Sequence, residues 1–308
     1  MLGIRDYNYD HFSRELLREW MEDSFPGPEP GERAPNFKTK TLDGQTLRLS
    51  DFRGKQNVLL LFGCATCPMT AASIGAVNEL YERFRNAGVE VILVYVREAH
   101  PGERLPAHEA MHDKIASAWL LRKEEDLEIP IVVDDLRGSI HRDYGKLPSP
   151  AFLIDKSGRV AFRSKWANRE ALAAAIEELT ELEEEHETDH GIVQGGQDLS
   201  MPISYADLSS YRALVRGGRA SVNDFQAATG LSGYGRRGVA GSADGMFEHP
   251  GRVLAVVALS GAVVAGGLYA GFELRKRRLG TRKNPYRAYE KEKVQDTETG
   301  TDYGAVGI

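Results

Sequence analysis

The two cysteines of the chain lie three positions apart, in the segment Cys64-Ala65-Thr66-Cys67. An apolar run from Val58 to Phe62 precedes them, and a proline and then apolar residues at helical spacing follow. A strand, a C-x-x-C pair and a helix in this order are typical of a thiol–disulfide redox site. The alternatives are two buried structural cysteines or half of a zinc site. Zinc usually needs a second pair of ligands and the chain has no other cysteine, so we expect redox-active cysteines, no metal and no bound cofactor.

The position of Pro68 indicates which cysteine attacks. Proline is favoured at the first position of a helix, which would make Cys67 the N-cap residue. The partial positive charge of a helix N-terminus favours a thiolate there, and Cys64 would resolve the intermediate from the preceding loop. Proline is tolerated elsewhere in a first turn, so the reverse assignment, in which Cys64 attacks, stays open.

Glu98 and His100 are candidates for proton transfer. Both follow the apolar run Val89 to Tyr95, and Cys67 follows the end of another such run. Sites in open α/β sheets collect at the carboxyl ends of strands, so these residues are expected to meet. A histidine can donate or accept a proton near neutral pH, and Glu98 would orient the imidazole. Spacing alone favours the alternative, a solvated surface loop, because Pro101-Gly102 follows directly.

Apolar and amphipathic stretches alternate between Gly31 and about Glu185. The pattern predicts strands at 57–62, 89–95, 129–133, 151–154 and 160–163, and helices at 70–86, 107–121 and 169–185. This alternation predicts an α/β fold with a mixed sheet and flanking helices. The net charge of −6 over 308 residues gives no reason to expect a nucleic-acid partner.

Several stretches resemble known families. Residues 31–37 (GERAPNF), 42–55 (LDGQTLRLSDFRGK) and 147–160 (LPSPAFLIDKSGRV) resemble the redoxin branch of the thioredoxin-like superfamily. Within it, 62–68 (FGCATCP), 95–101 (YVREAHP) and 129–134 (IPIVVD) are most similar to the iodothyronine deiodinase family.

The superfamily resemblance implies a cis-proline that packs against the redox cysteine before the strand at 151–154. Pro148 is the first candidate for it and Pro150 the second, and Pro148 and Thr66 would line the substrate groove. In deiodinases the selenocysteine falls at Cys67, and a catalytic Glu and His match Glu98 and His100. The resemblance therefore favours a functional role for that pair.

This chain also departs from the deiodinase pattern. It has cysteine instead of selenocysteine, and the family's cysteine two positions earlier corresponds to Ala65. The deiodinase membrane anchor is N-terminal. Peroxiredoxins carry Pro and Thr where this chain has Leu60 and Cys64. These departures favour thiol–disulfide chemistry over dehalogenation or peroxide reduction.

A membrane span is predicted near the C-terminus. Val253 to Phe272 is a run of twenty residues without a charge, long enough to cross a bilayer. A buried core helix is the alternative, but the basic cluster 275–278 follows almost at once. Three Lys/Arg lie in the twenty residues before the span and eight in the twenty after it, which puts the tail in the cytoplasm and the redox domain outside. Gly267 and Gly271 have the spacing of a helix-packing motif.

We therefore expect five parts: an N-terminal amphipathic helix with a Pro-rich break (1–30), a thioredoxin-like redoxin domain (31–187), a Gly/Ser-rich linker with short helices (188–250), a single transmembrane helix (251–273) and a basic, then polar, disordered tail (274–308). The expected function is that of a membrane-anchored thiol–disulfide oxidoreductase that draws electrons from a thiol protein or small thiol. The alternatives are a deiodinase-like dehalogenase or thiol peroxidase that uses Cys67, and a redox-inert module tethered to the membrane.

Overall fold

The computed structural model describes residues 4–22, 25–167, 169–186, 189–193 and 208–229. All of them belong to the first of the chain's two units, Met1–Glu248. The predicted span at 253–272, with Gly267 and Gly271, and the tail at 274–308 lie outside the described residues. In the part of the chain that is described, no helix is both long and apolar enough to cross a membrane.

The described residues form seven strands and seven α-helices. The strands are β1 (Lys38–Lys40), β2 (Thr46–Arg48), β3 (Asn57–Gly63), β4 (Val89–Tyr95), β5 (Ile131–Val133), β6 (Ala151–Ile154) and β7 (Val160–Ser164). The helices are α1 (Arg14–Met21), α2 (Pro68–Phe84), α3 (Met111–Glu124), α4 (Ser139–Asp143), α5 (Arg169–His186), α6 (Leu208–Gly217) and α7 (Arg219–Thr229). Short 3₁₀ helices span Leu49–Phe52 and Arg85–Ala87.

The central sheet has five strands in the order β5-β4-β3-β6-β7, and β1 and β2 form a separate antiparallel pair. Strand β3 is parallel to β4 and antiparallel to β6, and β4 is parallel to β5. This arrangement confirms the predicted mixed sheet of a thioredoxin-like α/β fold. The register pairs Gly63 with Tyr95, so the segments that follow β3 and β4 begin side by side.

Strand β3 forms the rigid base of the site. All seven of its residues are buried, as expected of a central strand covered on both faces. Leu59 and Leu61 face one layer of the core, while Leu60 and Phe62 face the other, because side chains alternate along a strand. Each fully buried aliphatic side chain contributes about 2 kcal/mol, so the strand fixes the loop at its carboxyl end firmly.

The N-terminal segment packs on the domain. The Tyr7 hydroxyl lies 2.7 Å from His141 Nδ1, and the Arg97 guanidinium stacks on the Tyr7 and Tyr9 rings. Gly138 has φ +70°, and a Cβ at this position would overlap the Tyr7 ring. This glycine therefore permits both the turn before α4 and the close approach of the N-terminal segment.

The predicted strands and helices are present with small shifts of their ends, and two short strands and one short α-helix were not predicted. The hairpin of β1 and β2 has only three residues in each strand and α4 has only five, which is too short for a periodic signal. Helix α3 begins at Met111 rather than at residue 107, because its N-cap residue Ala110 has an extended backbone and His108 is buried in the interior.

Candidate active site

Cys67 is the N-cap residue of α2, and Pro68 is the first residue of the helix, as the sequence predicted. The Cys67 side chain is 1% exposed. Burial acts to raise the pKa of Cys67, but a hydrogen bond with Cys64 and the polar groups of Thr70 and Met69 outweigh burial. The pKa of Cys67 is therefore lower than that of an ordinary cysteine, although the sulfur makes no cap hydrogen bond of regular geometry.

Cys64 has the opposite character. It lies directly after β3, is also 1% exposed, and accepts a hydrogen bond from the backbone N–H of Ala99 at 3.1 Å. Burial raises the pKa of Cys64 well above its ordinary value, and the hydrogen bond to Cys67 and the negative charge of Glu98 raise it further. Both cysteines are free thiols, so the structure represents the reduced pair, with Cys67 as the more acidic member.

Glu98 is the centre of a buried hydrogen-bond network. Its Oε2 accepts from the backbone N–H and the hydroxyl of Thr66, at 2.9 and 2.7 Å. Its Oε1 accepts from the Tyr95 hydroxyl and lies 3.4 Å from His108 Nε2. Burial acts to raise the pKa of Glu98, but His108, Tyr95 and Thr66 outweigh it and the pKa is lowered. The carboxylate is therefore ionised although its side chain has no solvent exposure.

His100 does not have the expected environment. The sequence suggested that Glu98 orients its ring, but neither ring nitrogen has a hydrogen-bond partner. The ring lies edge-on to Phe12, Trp20 and Phe225, with centroid distances of 4.2, 5.9 and 5.5 Å. Burial lowers the pKa of His100 to about 3, and the charge of Glu98 offsets only part of that effect. His100 is a neutral imidazole in an aromatic enclosure.

His108 and Tyr95 are the members of the site that sequence reasoning missed. His108 occupies the place beside Glu98 that the sequence assigned to His100, because the chain turns after β4 and directs Glu98 toward the C-x-x-C loop. His108 Nε2 also lies 3.3 Å from the Ser117 hydroxyl. The Tyr95 hydroxyl accepts from the backbone N–H of Ala65 and so links both loops. Tyr95 could have been found from the sequence, because it is the last residue of β4, a strand that ends at the predicted site. The position of His108 depends on long-range packing and has no such local signal.

Pro148 is buried in the segment before β6, but its peptide bond is not the cis bond that the resemblance implied. All described peptide bonds are trans, including the one that precedes Pro150. The segment is held by other bonds. The Leu147 carbonyl lies 2.6 Å from His141 Nε2, and the Pro150 carbonyl accepts from Phe62 N–H. Thr66, the other predicted groove residue, is fully buried and belongs to the hydrogen-bond network instead. Its hydroxyl lies 3.9 Å from Cys64 Sγ and accepts a hydrogen bond from the backbone N–H of His100.

No group of three or more potential metal ligands occurs among the described residues. The site brings together two thiols of opposite acidity, a buried carboxylate and the hydroxyl of Thr66, which lies between the carboxylate and Cys64. Such a group of residues can form and break a disulfide while it moves a proton.

Comparison with known proteins identifies the family. A family model described as the AhpC/TSA family matches residues 30–163. The thiol-disulfide oxidoreductase ResA of Bacillus thuringiensis subsp. konkukian is 35% identical over 133 residues, which cover 43% of this chain and 67% of that protein. The chloroplastic peroxiredoxin Q of Triticum aestivum is 29% identical over 136 residues, which cover 43% of this chain and 57% of that protein.

A solved structure of a protein from Chlorobium tepidum, described as a DsbE-type thiol:disulfide interchange protein, is 24% identical and has a TM-score of 0.40. The matched part is 49% of this chain and 96% of the Chlorobium tepidum protein. The relatives confirm the prediction of a thiol–disulfide oxidoreductase and the resemblance to redoxins, while the deiodinase resemblance rests on the sequence stretches alone. The chain belongs to the AhpC/TSA family of thioredoxin-like redoxins.

Proposed function

We propose that the chain reduces disulfides of partner proteins or small thiol compounds, with Cys67 as the nucleophile and Cys64 as the resolving thiol. The observation that carries this assignment is the opposite shift of the two pKa values within one hydrogen-bonded pair. Only the thiolate attacks a disulfide, and Cys67 is the cysteine that becomes a thiolate at lower pH. This order is the reverse of the one in which the first cysteine of the motif attacks.

The reaction consists of two exchanges. The Cys67 thiolate attacks one sulfur of the substrate disulfide, the substrate S–S bond breaks, and one substrate thiolate leaves and takes up a proton. Cys64 then loses its proton and attacks the Cys67 sulfur, which forms the Cys64–Cys67 disulfide and releases the second substrate thiolate. Two electrons have passed to the substrate, and an external thiol protein or small thiol returns them by the same exchange in reverse.

The buried network gives the Cys64 proton a route. The Thr66 hydroxyl bridges Cys64 Sγ and Glu98 Oε2, so the proton can pass to the carboxylate when Cys64 attacks. Until then, the negative charge of Glu98 keeps Cys64 protonated because it raises the pKa of that thiol. In this proposal Glu98 both prevents early ionisation of Cys64 and accepts its proton in the second step, while His108 and Tyr95 stabilise the carboxylate.

A redox titration with an activity assay tests the proposal. The chain is equilibrated in thiol buffers of graded potential, and the oxidised fraction is read from the mass shift after alkylation. We expect one reversible two-electron transition between about −120 and −270 mV, the range of known thiol oxidoreductases. Disulfide reduction of insulin should be lost in C67S. Wild-type activity in that variant, or no disulfide over the whole range, would contradict the dithiol cycle.

A second candidate is reduction of a peroxide or a halogenated aromatic by Cys67. The family match and the similarity to a peroxiredoxin favour the peroxide reaction. Peroxide consumption and iodide release, each measured with an excess thiol, distinguish it from disulfide reduction. Neither reaction should proceed in C67S if Cys67 is the reacting group. A redox-inert tethering module would instead keep its function with both cysteines changed to serine.

We also propose that the chain is a single-pass membrane protein, with the redox domain outside, the tail in the cytoplasm, and a thiol protein as its electron donor. The uncharged run 253–272 and the excess of Lys/Arg after it support this orientation. Gly267 and Gly271 would allow the span to associate with another helix. Protease added to spheroplasts should digest the redox domain. Protection of that domain by the intact membrane would reverse the orientation.

A further inference from the structure

Two helices outside the matched family region pack beside the redox loop. Helix α6 packs along α2, the helix that Cys67 caps, and α7 follows α6 after one residue. From α6, Arg216 Nη1 donates a hydrogen bond of 2.7 Å to the carbonyl of Ala65, inside the C-x-x-C motif. The matched region ends at residue 163, so this contact is made from outside it.

Ion pairs hold α6 in place. The Arg216 guanidinium binds the carboxylates of Glu124 and Glu125 at the end of α3, and Arg212 binds Glu125 as well. The Arg216 and Glu125 side chains are only 7% and 3% exposed. A desolvated ion pair of this kind is strongly destabilised when one partner is removed, because the other charge remains buried. Arg216 thus connects the end of α3 to the redox loop.

Helix α7 is held over the segment that follows β4. The Glu103 carboxylate accepts from the backbone N–H groups of Arg219 and Ala220, at 2.6 and 2.9 Å, and so caps the first turn of α7. From the next turn, Phe225 packs on the His100 ring and stacks with Phe12. These contacts close the aromatic enclosure around His100.

The covered state is in conflict with the reaction. Cys67 must reach a sulfur of another molecule, yet both thiols are 1% exposed. Several buried polar atoms of α7 and of the aromatic enclosure also lack hydrogen-bond partners. They are both nitrogens of the His100 ring, Nε1 of Trp20 and the Ser221 hydroxyl. Buried polar atoms without partners cost free energy, which lowers the stability of the covered state relative to an opened one.

We propose that α6 and α7 form a detachable cap over the Cys64–Cys67 pair, that Arg216 is the latch of this cap, and that substrate reaches Cys67 only when the cap opens. The cap acts on the redox site assigned under the proposed function and would regulate it. Opening would break the bond from Arg216 to Ala65 and the ion pairs to α3, and would remove Phe225 from His100. The same opening exposes the unpaired His100 nitrogens to a ligand or to water.

The test measures how fast iodoacetamide alkylates Cys67 in the full-length, reduced chain. Removal of the latch in R216Q should raise the rate about tenfold or more, since the closed state loses its buried ion pair. The matched control is R83Q, which breaks the exposed pair of Arg83 with Glu177 and should leave the rate unchanged. An R216Q rate equal to that of the wild type, or a wild-type rate as fast as that of the urea-unfolded chain, would overturn the proposal.

Two further measurements keep the test decisive if R216Q does not fold. F225A removes a contact of α7 without touching the latch and should also accelerate alkylation. In the wild-type chain, the amides of residues 208–229 should exchange with deuterium together, and faster than those of β3. Equal protection of the helices and β3 would show that they are a permanent part of the domain and would contradict the cap.

Alkylation does not depend on disulfide reduction, so the two proposals can fail separately. Acceleration in R216Q without insulin reduction in any variant would retain the cap and reject the proposed reaction. Normal insulin reduction with unchanged alkylation would retain the reaction and reject the cap.

Discussion

Replacement of His100 by leucine should make the chain more resistant to acid unfolding. The folded chain keeps this ring neutral, because burial lowers its pKa to about 3. An unfolded chain binds a proton on the same histidine near pH 6.5. As the pH falls below about 6.5, the unfolded state gains a proton that the folded state does not, so stability is lost through this window until about pH 3.

The magnitude follows from the two pKa values. At about pH 5 the unfolded histidine is almost fully protonated, and the folded one is not. His100 therefore costs the wild type about 2 kcal/mol of unfolding free energy at about pH 5 compared with about pH 7.5. Because pH 5 lies well above the folded pKa, this figure depends mainly on the unfolded value. The H100L variant should not show this loss.

Urea unfolding of wild type and H100L near pH 7.5 and pH 5 measures the effect. Other groups titrate in both proteins and cancel in the difference between them. H112L serves as the control, since the His112 side chain is 84% exposed. The stability of H100L relative to the wild type should rise by about 2 kcal/mol on going to pH 5. A difference that stays constant between the two pH values would refute the buried, neutral His100.

Three further substitutions test the network, the redox loop and the N-terminal segment. T66V should slow resolution of the mixed disulfide about tenfold because it removes the hydroxyl bridge, while T66S should keep the wild-type rate in single-turnover quench experiments. G63A places a Cβ 2.7 Å from the hydroxyl of Thr70, in the first turn of α2. Displacement of Thr70, whose polar groups lower the pKa of Cys67, should raise that pKa in a thiolate absorbance titration. G138A should destabilise the chain by about 2–4 kcal/mol, because the position has a positive φ and the new Cβ would clash with the Tyr7 ring. The control is G88A, a position with φ +74° where a Cβ meets no atom within 4 Å; it should cost only about 1 kcal/mol in urea unfolding. Equal losses in the two glycine variants, fast resolution in T66V or an unshifted Cys67 titration would each contradict the corresponding contact.

The redox loop could be located from sequence because its signals are local. An apolar strand, two cysteines and Pro68 fall within about a dozen consecutive residues, and the structure places Cys67 at the N-cap as expected. The strands of the central sheet have long apolar runs and were also predictable. The short hairpin of β1 and β2 was not, since strands of three residues, Lys-Thr-Lys and Thr-Leu-Arg, are too short to show a periodic pattern.

The surroundings of the cysteines depend on contacts that sequence spacing does not reveal. His108 was assigned to a predicted helix, but its loop folds back so that the ring reaches Glu98. His100 was expected at the carboxylate and lies among aromatic rings from the N-terminal segment and α7 instead. The sequence did predict short helices within the linker at 188–250. It could not predict that Arg216 would contact the redox loop, because the ion pairs of Arg216 join residues 91 and 92 positions apart.

Trapping of the mixed disulfide tests the central claim most directly. Reduced C64S and C67S are each mixed with an aromatic disulfide reagent at neutral pH, and the adduct is followed by mass spectrometry. The account predicts that C64S rapidly forms a stable adduct through Cys67 and that C67S reacts far more slowly, because the pKa of Cys64 is raised. Faster adduct formation through Cys64 would contradict the assignment of Cys67 as the nucleophile.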